Sequence, residues 1–263
     1  MSKQKLLFFD IDGTLVDETT HQISDSTTGA IHKAQQNGHL VFINTGRPYS
    51  NVDEKLRELG FDGYICGCGV YIQYHGQVLY HRRIPKEECR ELAAMLHKFR
   101  MEGVLEGTPD CYYSETLSHP MFLQTKHLYE EYGFDCSKGW SDPDIQFEKG
   151  AVTHGERSDF NGFYQYITQK YDYIFRADDF GEFIPKGHSK ATGIQYMVDL
   201  LGAELDDCFV FGDSTNDLPM LSYVKHSIAM ASGNPALFNQ VELVAPGIGE
   251  DGIEKALCHY QII

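Results

Sequence analysis

Short apolar runs alternate with polar, amphipathic stretches at both ends of this chain. The first run, Lys5-Leu6-Leu7-Phe8-Phe9, stops abruptly in acid and predicts a buried strand. A polar stretch over residues 25–37 predicts a helix that ends at Gly38, a residue suited to a helix C-terminus. A second apolar run covers 40–43. A helix is expected over 49–59, ending at Gly60, and a third strand at 64–66. Strands and helices that alternate over short connections imply βαβ units and a parallel sheet. The pattern resumes with a helix at 190–201, a strand at 208–211, a short helix, a strand at 227–230 and a final helix at 250–257.

The middle follows a different rhythm. Residues 70–80 alternate around His75-Gly76, as in a β-hairpin. Pro85 opens a helix with Leu92, Leu96 and Phe99 on one stripe and Met95 beside them. An aromatic, turn-rich region with short strand-like runs, such as 173–175, extends to about residue 183. The expected architecture is α/β: a Rossmann-like parallel-sheet core from residues 1–82 and 185–263, with an inserted α+β module at 83–184. No internal repeat or low-complexity segment interrupts it.

Composition narrows the function. At 263 residues the chain can build a core and a second module, and 42% hydrophobic content fits a packed protein. A net charge of −16 makes nucleic acid a poor partner. An anionic substrate would need a local cationic pocket. Seven cysteines, no secretory leader and no membrane-length apolar stretch point to a reduced, cytoplasmic setting. The pair Cys66 and Cys68 lacks a second Cys/His pair at zinc spacing, so packed, reduced thiols are expected.

In open parallel sheets, ligands bind at the carboxyl ends of the strands. Three apolar runs end in chemistry there. The first ends in Asp10-Ile11-Asp12-Gly13-Thr14-Leu15. Residues two apart on an extended chain share a side, so Asp10 and Asp12 should enter one site. Such a pair suits a hard divalent metal, or a nucleophile beside a general acid. The second ends in Asn44-Thr45-Gly46-Arg47-Pro48, where a hydroxyl, a glycine amide and a guanidinium can cradle a phosphate oxygen. The third ends in Gly212-Asp213-Ser214-Thr215-Asn216-Asp217, which favours Mg²⁺, although Asp213 or Ser214 could simply cap the next helix. Lys190 is expected in the first turn of its helix. A cation there opposes the helix dipole, which suggests a carboxylate or anion for it to meet.

These motifs, in this order and with the insertion between the second and third, resemble the haloacid dehalogenase superfamily. More narrowly, they resemble Cof-type phosphatases with a type IIB cap. The resemblance implies a phosphatase in which Asp10 is the nucleophile and Asp12 the general acid and base. Mg²⁺ would be held by Asp10, Asp213 and the backbone carbonyl of Asp12. It implies that Thr45, the Gly46 amide and Lys190 hold phosphoryl oxygens, that Asn216 lies near metal or substrate, that Asp217 supports the metal or Lys190, and that Arg47 reaches substrate. One departure is that Cys68-Gly69-Val70 stands where such proteins often carry Asn-Gly-Ala. The insertion would act as a lid, with His119, Lys126, His154 and Arg157 among the polar residues that could face substrate or simply the surface. The expected partner is a small phosphorylated metabolite, such as a sugar phosphate, and neither nucleic acid nor membrane. Two alternatives stay open. A phosphomutase would need a second cationic pocket, and no dense Arg/Lys cluster occurs in 83–184. A non-catalytic metabolite sensor or phospho-aspartate module would leave Asp12 unexplained.

Overall fold

The apolar runs of the first segment become β1 (Leu6–Phe9), β2 (Leu40–Asn44) and β3 (Gly63–Cys66), with α1 (Asp25–Gln36) and α2 (Glu54–Glu58) between them. The computed structural model describes residues 3–263. A hairpin, β4 (Tyr71–Tyr74) and β5 (Gln77–His81), follows. Its two turn residues, His75 and Gly76, both adopt positive φ, as a tight two-residue turn demands. The middle segment holds α3 (Lys86–Lys98), β6 (Glu102–Glu106), β7 (Cys111–Tyr113), α4 (Pro120–Glu131), β8 (Lys149–Thr153), α5 (Phe160–Ile167), β9 (Tyr171–Phe175) and β10 (Phe180–Pro185). The last segment holds α6 (Lys190–Leu201), β11 (Cys208–Gly212), α7 (Leu218–Tyr223), β12 (His226–Met230), β13 (Leu243–Ala245) and α8 (Gly252–His259).

The chain divides into two compact units. The first takes residues 3–46, Glu54–Tyr80 and Ser189–Ile263; the second takes Arg47–Asp53 and His81–His188. In the first unit the strand order is β13-β12-β11-β1-β2-β3-β4-β5. The pairs from β13 to β3 are parallel, and β4 turns back antiparallel on β3. Leu6 and Phe8 of β1 join Phe42, Ile65, Ile194, Met197 and Val210 in one apolar cluster. Leu7 and Phe9 point the other way and are equally buried. A sheet covered on both faces explains why its strands read as unbroken apolar runs rather than alternating ones. Each such side chain contributes about 1.5–3 kcal/mol by leaving water.

The second unit is a five-stranded antiparallel sheet, order β7-β6-β8-β10-β9. Here the pattern alternates. Leu105, Val152 and Phe183 join Leu92 and Leu96 of α3 and Phe163 of α5 in one core. Val104, Tyr113 and Ala151 cluster instead with Phe122 of α4.

Two expectations fail. The helix expected over 49–59 is broken into a 3₁₀ turn, Tyr49–Asn51, and α2, because Val52 is extended. The break has a tertiary cause within the second unit. Ser50 Oγ donates to the Gly107 carbonyl at 2.8 Å, and Cys111 Sγ donates to Asn51 Oδ1 at 3.6 Å. The short edge strand β13 was not expected at all; Leu243 and Val244 are partly exposed, which blurs the apolar signal.

Candidate active site

The site lies where the parallel strands of the first unit end. β1 delivers Asp10, whose amide still donates to Phe211 of β11 at 3.0 Å. The chain then folds tightly, with the amides of Leu15 and Val16 both donating to the Ile11 carbonyl at 2.9 Å. Gly13 makes this turn at φ +74°. A Cβ there would lie 2.3 Å from Asp213 Oδ2, so only glycine leaves room for that carboxylate. Thr14 Oγ1 donates to Asp213 Oδ1 at 3.2 Å.

β11 delivers Asp213, and the 3₁₀ turn after it delivers Asp217. α6 starts at Lys190, behind a capping box made by Ser189 and Thr192. That lysine is the expected cation at a helix N-terminus, and two carboxylates answer it. Its Nζ lies 2.6 Å from Asp10 Oδ1 and 2.5 Å from Asp217 Oδ1. Asp217 Oδ2 accepts from the amides of Asp213 and Ser214 at 2.9 and 3.0 Å, so both of its oxygens are engaged. The lysine is 1% exposed and Asp217 is fully buried.

Asp10, Asp213 and Asp217 are all buried, and each offers an oxygen within 4.8 Å of the others. Two of these carboxylates pair with the Lys190 ammonium, and the third, Asp213, lies beside them. Burial, then the charge of Asp217, pushes Asp10 up to about 7 in spite of Lys190. Burial, with Asp10 and Asp217, pushes Asp213 up to about 8. Burial works against the charge on Lys190, but Asp10 and Asp217 overcome it and hold its pKa above the ordinary lysine value. An all-oxygen set with uncompensated negative charge in a dry site fits a hard divalent cation. A cation there would relieve the repulsion that raises the two aspartates.

The remaining sequence candidates divide. Asp12 is partly exposed, and its charge also raises Asp10, but its carboxylate does not belong to the three-carboxylate cluster. Thr45 is buried, and its carbonyl accepts from the Cys68 amide at 3.1 Å. A Cβ on Gly46 would lie 3.7 Å from Cys68 Sγ and 3.8 Å from Asn216 Nδ2, so the two turns adjoin. Ser214 Oγ in turn donates to Asn216 Oδ1. Arg47 belongs to the second unit, where it donates to the Asn51 carbonyl at 3.2 Å and stands over the Tyr129 ring at 5.9 Å. In the same unit His119 and His154 bond to Asp179 and to the Asp178 carbonyl, and Lys126 stands over Tyr113.

Sequence reasoning gave no place to the backbone N–H of residue Asn234, which donates to the Asp213 carbonyl at 2.7 Å. It follows the end of β12, so the strand-end rule would have found it. It also gave Asn44 no separate role.

Comparison with known proteins bears on the family and the fold. A family model described as haloacid dehalogenase-like hydrolase matches residues 7–257. A Bacillus subtilis (strain 168) protein named "Putative phosphatase YkrA" is 29% identical over 261 residues, covering 96% of each chain. The HMP-PP phosphatase of Yersinia pseudotuberculosis (strain IP32953) is 28% identical over 248 residues, covering 89% of this chain and 86% of its own. The solved structure of the HAD subclass IIB sugar phosphatase BT4131 superposes with a TM-score of 0.82 at 28% identity, covering 99% of this chain and all of the other. No described helix is long and apolar enough to cross a membrane. The matched region runs from within β1 to within α8 and takes in the strand ends that carry Asp10 and Asp213 and the helix start that carries Lys190; the chain belongs to the haloacid dehalogenase-like hydrolases and is an enzyme of phosphatase type.

Proposed function

We propose that this enzyme is a Mg²⁺-dependent phosphomonoesterase that acts on a small phosphorylated metabolite, such as a sugar phosphate, through a phosphoryl group carried on Asp10. The observation that carries the reading is the pairing of Lys190 with Asp10 and Asp217 beside a third buried carboxylate, Asp213. Lys190 engages Oδ1 of Asp10, which leaves the other oxygen to attack phosphorus. As that bond forms, the ester P–O bond breaks, and Asp12 gives its proton to the departing oxygen. Asp12 then takes a proton from water, whose oxygen attacks phosphorus and frees Asp10 and inorganic phosphate. Thr45, the Gly46 amide and Lys190 hold the phosphoryl oxygens through both steps, which is positioning and charge stabilisation. Asn216 completes the wall beside Gly46.

Asp10, Asp213 and the Asp12 carbonyl would hold Mg²⁺, which supplies positive charge against the phosphate and the nucleophile. Asp217 stays out of that set, because its oxygens already serve Lys190 and two amides. The insertion at 83–184 would be the cap that excludes water and selects the leaving group, with Arg47 as a further substrate contact. Relatives described as sugar and HMP-PP phosphatases favour a small leaving group. A mutase needs a second phosphate site, and three cations of the second unit are already held by carboxylates. Lys149 pairs with Glu106 and Glu182, Arg176 with Glu182, and Lys138 with Asp110.

The test is release of inorganic phosphate from p-nitrophenyl phosphate and a panel of sugar phosphates, with Mg²⁺ and with chelator. Release that requires the metal and disappears in Asp10→Asn is expected. Isomerisation of a sugar phosphate without release would favour the mutase. Silence across the panel would favour a sensor.

A further inference from the structure

Asn44, the last residue of β2, has an environment that its chemistry does not suit. It is fully buried. The residue two before it on the strand, Phe42, belongs to an apolar cluster with Ile194 of α6 and Met220 of α7. Asn44 Nδ2 donates to the Lys190 carbonyl at 3.1 Å and approaches Met220 Sδ at 3.5 Å. Its Oδ1 has no hydrogen-bond partner. A buried acceptor left unpaired opposes folding, so an apolar side chain of the same size would serve stability better. Nor does the α6 helix depend on the Asn44 bond, since a helix carbonyl in the first turn meets the amide four residues on.

The bond does fix where Lys190 stands. A second grip acts one residue earlier. Gly69 adopts φ +90°, and a Cβ there would lie 2.6 Å from the Ser189 carbonyl oxygen. The start of α6 is therefore held by Asn44 on one residue and by the Gly69 backbone against the other. Lys190 Nζ, at the end of a fully buried side chain, meets Asp10 and Asp217 from that fixed base.

We infer that Asn44 is a positioning residue for Lys190: it gives up stability to hold the lysine's backbone at the place from which Nζ reaches the nucleophile. The inference rests on the phosphatase reading above. Its test compares Asn44→Leu, near in shape but apolar, with wild type in p-nitrophenyl phosphate turnover, thermal midpoint and crystal structure. The leucine variant should melt no lower than wild type, because the orphaned acceptor is gone. Its kcat should fall about tenfold to a hundredfold, the cost of a small misplacement at a reacting centre. Inhibition by orthovanadate should weaken with kcat, and Nζ should retreat from Asp10. Gly69→Ala, pressing from the other side, should lower kcat in the same way.

A leucine variant with wild-type kcat, while Asp10→Asn is dead, overturns the inference and leaves the phosphatase reading intact. So does a kcat loss matched by a lowered melting midpoint, the mark of a merely structural anchor. Should wild type itself turn over nothing, the phosphatase reading fails and the crystal structure decides: Nζ displaced upholds the positioning role, and Nζ unmoved overturns it. Asn44→Ala, which needs no added room, carries the kcat and Nζ readouts if the leucine variant does not fold.

Discussion

Each unit of this protein buries a cluster of charges, and the two clusters are balanced differently. In the second unit, Lys149 Nζ lies 2.7 Å from Glu106 and 2.9 Å from Glu182, and Arg176 Nε lies 2.8 Å from Glu182. Two cations meet two carboxylates. Burial alone would raise Glu182, but Lys149 and Arg176 outweigh it and hold Glu182 down at about 2. In the first unit, the three buried carboxylates Asp10, Asp213 and Asp217 stand around Lys190, which pairs with Asp10 and Asp217, and Asp10 and Asp213 rise to about 7 and about 8. The cost of burying ions is met internally in one place and left open in the other. The open one marks the site where chemistry with a cation and an anionic substrate is expected.

The sharpest way to break this contrast is to neutralise one acid in each cluster. Asp10→Asn should lower kcat by about 10⁴-fold or more, the scale of losing a nucleophile. Its metal-free melting midpoint should hold or rise, since one of three repelling carboxylates is gone. Glu182→Gln should do the reverse. Removing one partner of a buried pair costs about 3–5 kcal/mol, which for a chain of this size lowers the melting midpoint by about 10 °C. Turnover per folded molecule should stay within a few-fold. Both variants are read by phosphate release and thermal melting. A catalytic Asp10→Asn variant, or an unchanged Glu182→Gln midpoint, would end the comparison.

A divalent cation sharpens it further. In Asp10 and Asp213 the folded-state pKa lies above the ordinary 3.8. Folding therefore takes up protons at these groups. Without metal, their contribution to stability is fully present below about pH 4 and is lost as pH rises through 7 and 8. A cation binds the deprotonated form, so Mg²⁺ should stabilise the protein more at pH 8.5 than at pH 5.5. At a hundred times its dissociation constant the gain at high pH is about 2.7 kcal/mol. Asp213→Asn should remove most of that gain. Melting curves with and without Mg²⁺ at the two pH values measure it, and an equal gain at both would contradict the charge argument.

How much of this could be read beforehand depends on what fixes each feature. β1, β2, β3, β11 and β12 were legible because both of their faces are buried, and the apolar runs carry that information locally. The broken helix at 49–59 was not. Its determinants, Gly107 and Cys111, lie more than fifty residues along the chain and act through Ser50 and Asn51. The strand-end rule anticipated that Asp10 and Asp213 would come together, yet it could not show that Asp217 would share Lys190 with Asp10, because that depends on how a 3₁₀ turn returns toward a helix start. Asn44 looked like part of a phosphate turn. Its true surroundings, a helix carbonyl and a methionine sulfur, belong to elements far along the chain.

The finest division falls inside the balanced cluster. Glu106 and Glu182 share Lys149, and Arg176 bonds Glu182 directly while reaching Glu106 as a weaker, more distant charge. Burial raises Glu106, and the lysine it shares does not bring it back down, whereas Glu182 is held at about 2. Glu106 is therefore the carboxylate whose charge the unit can best spare. Glu106→Gln removes a charge that already costs much of what it returns, and the remaining pair of cations with Glu182 stays bridged. The expected loss is about 1 kcal/mol, near that of one ordinary hydrogen bond, well under the loss from Glu182→Gln. Thermal or urea melts of the two glutamine variants, run side by side at pH 7, measure the difference. Equal losses would mean that Lys149 depends on both carboxylates alike and that Arg176 adds nothing to the balance.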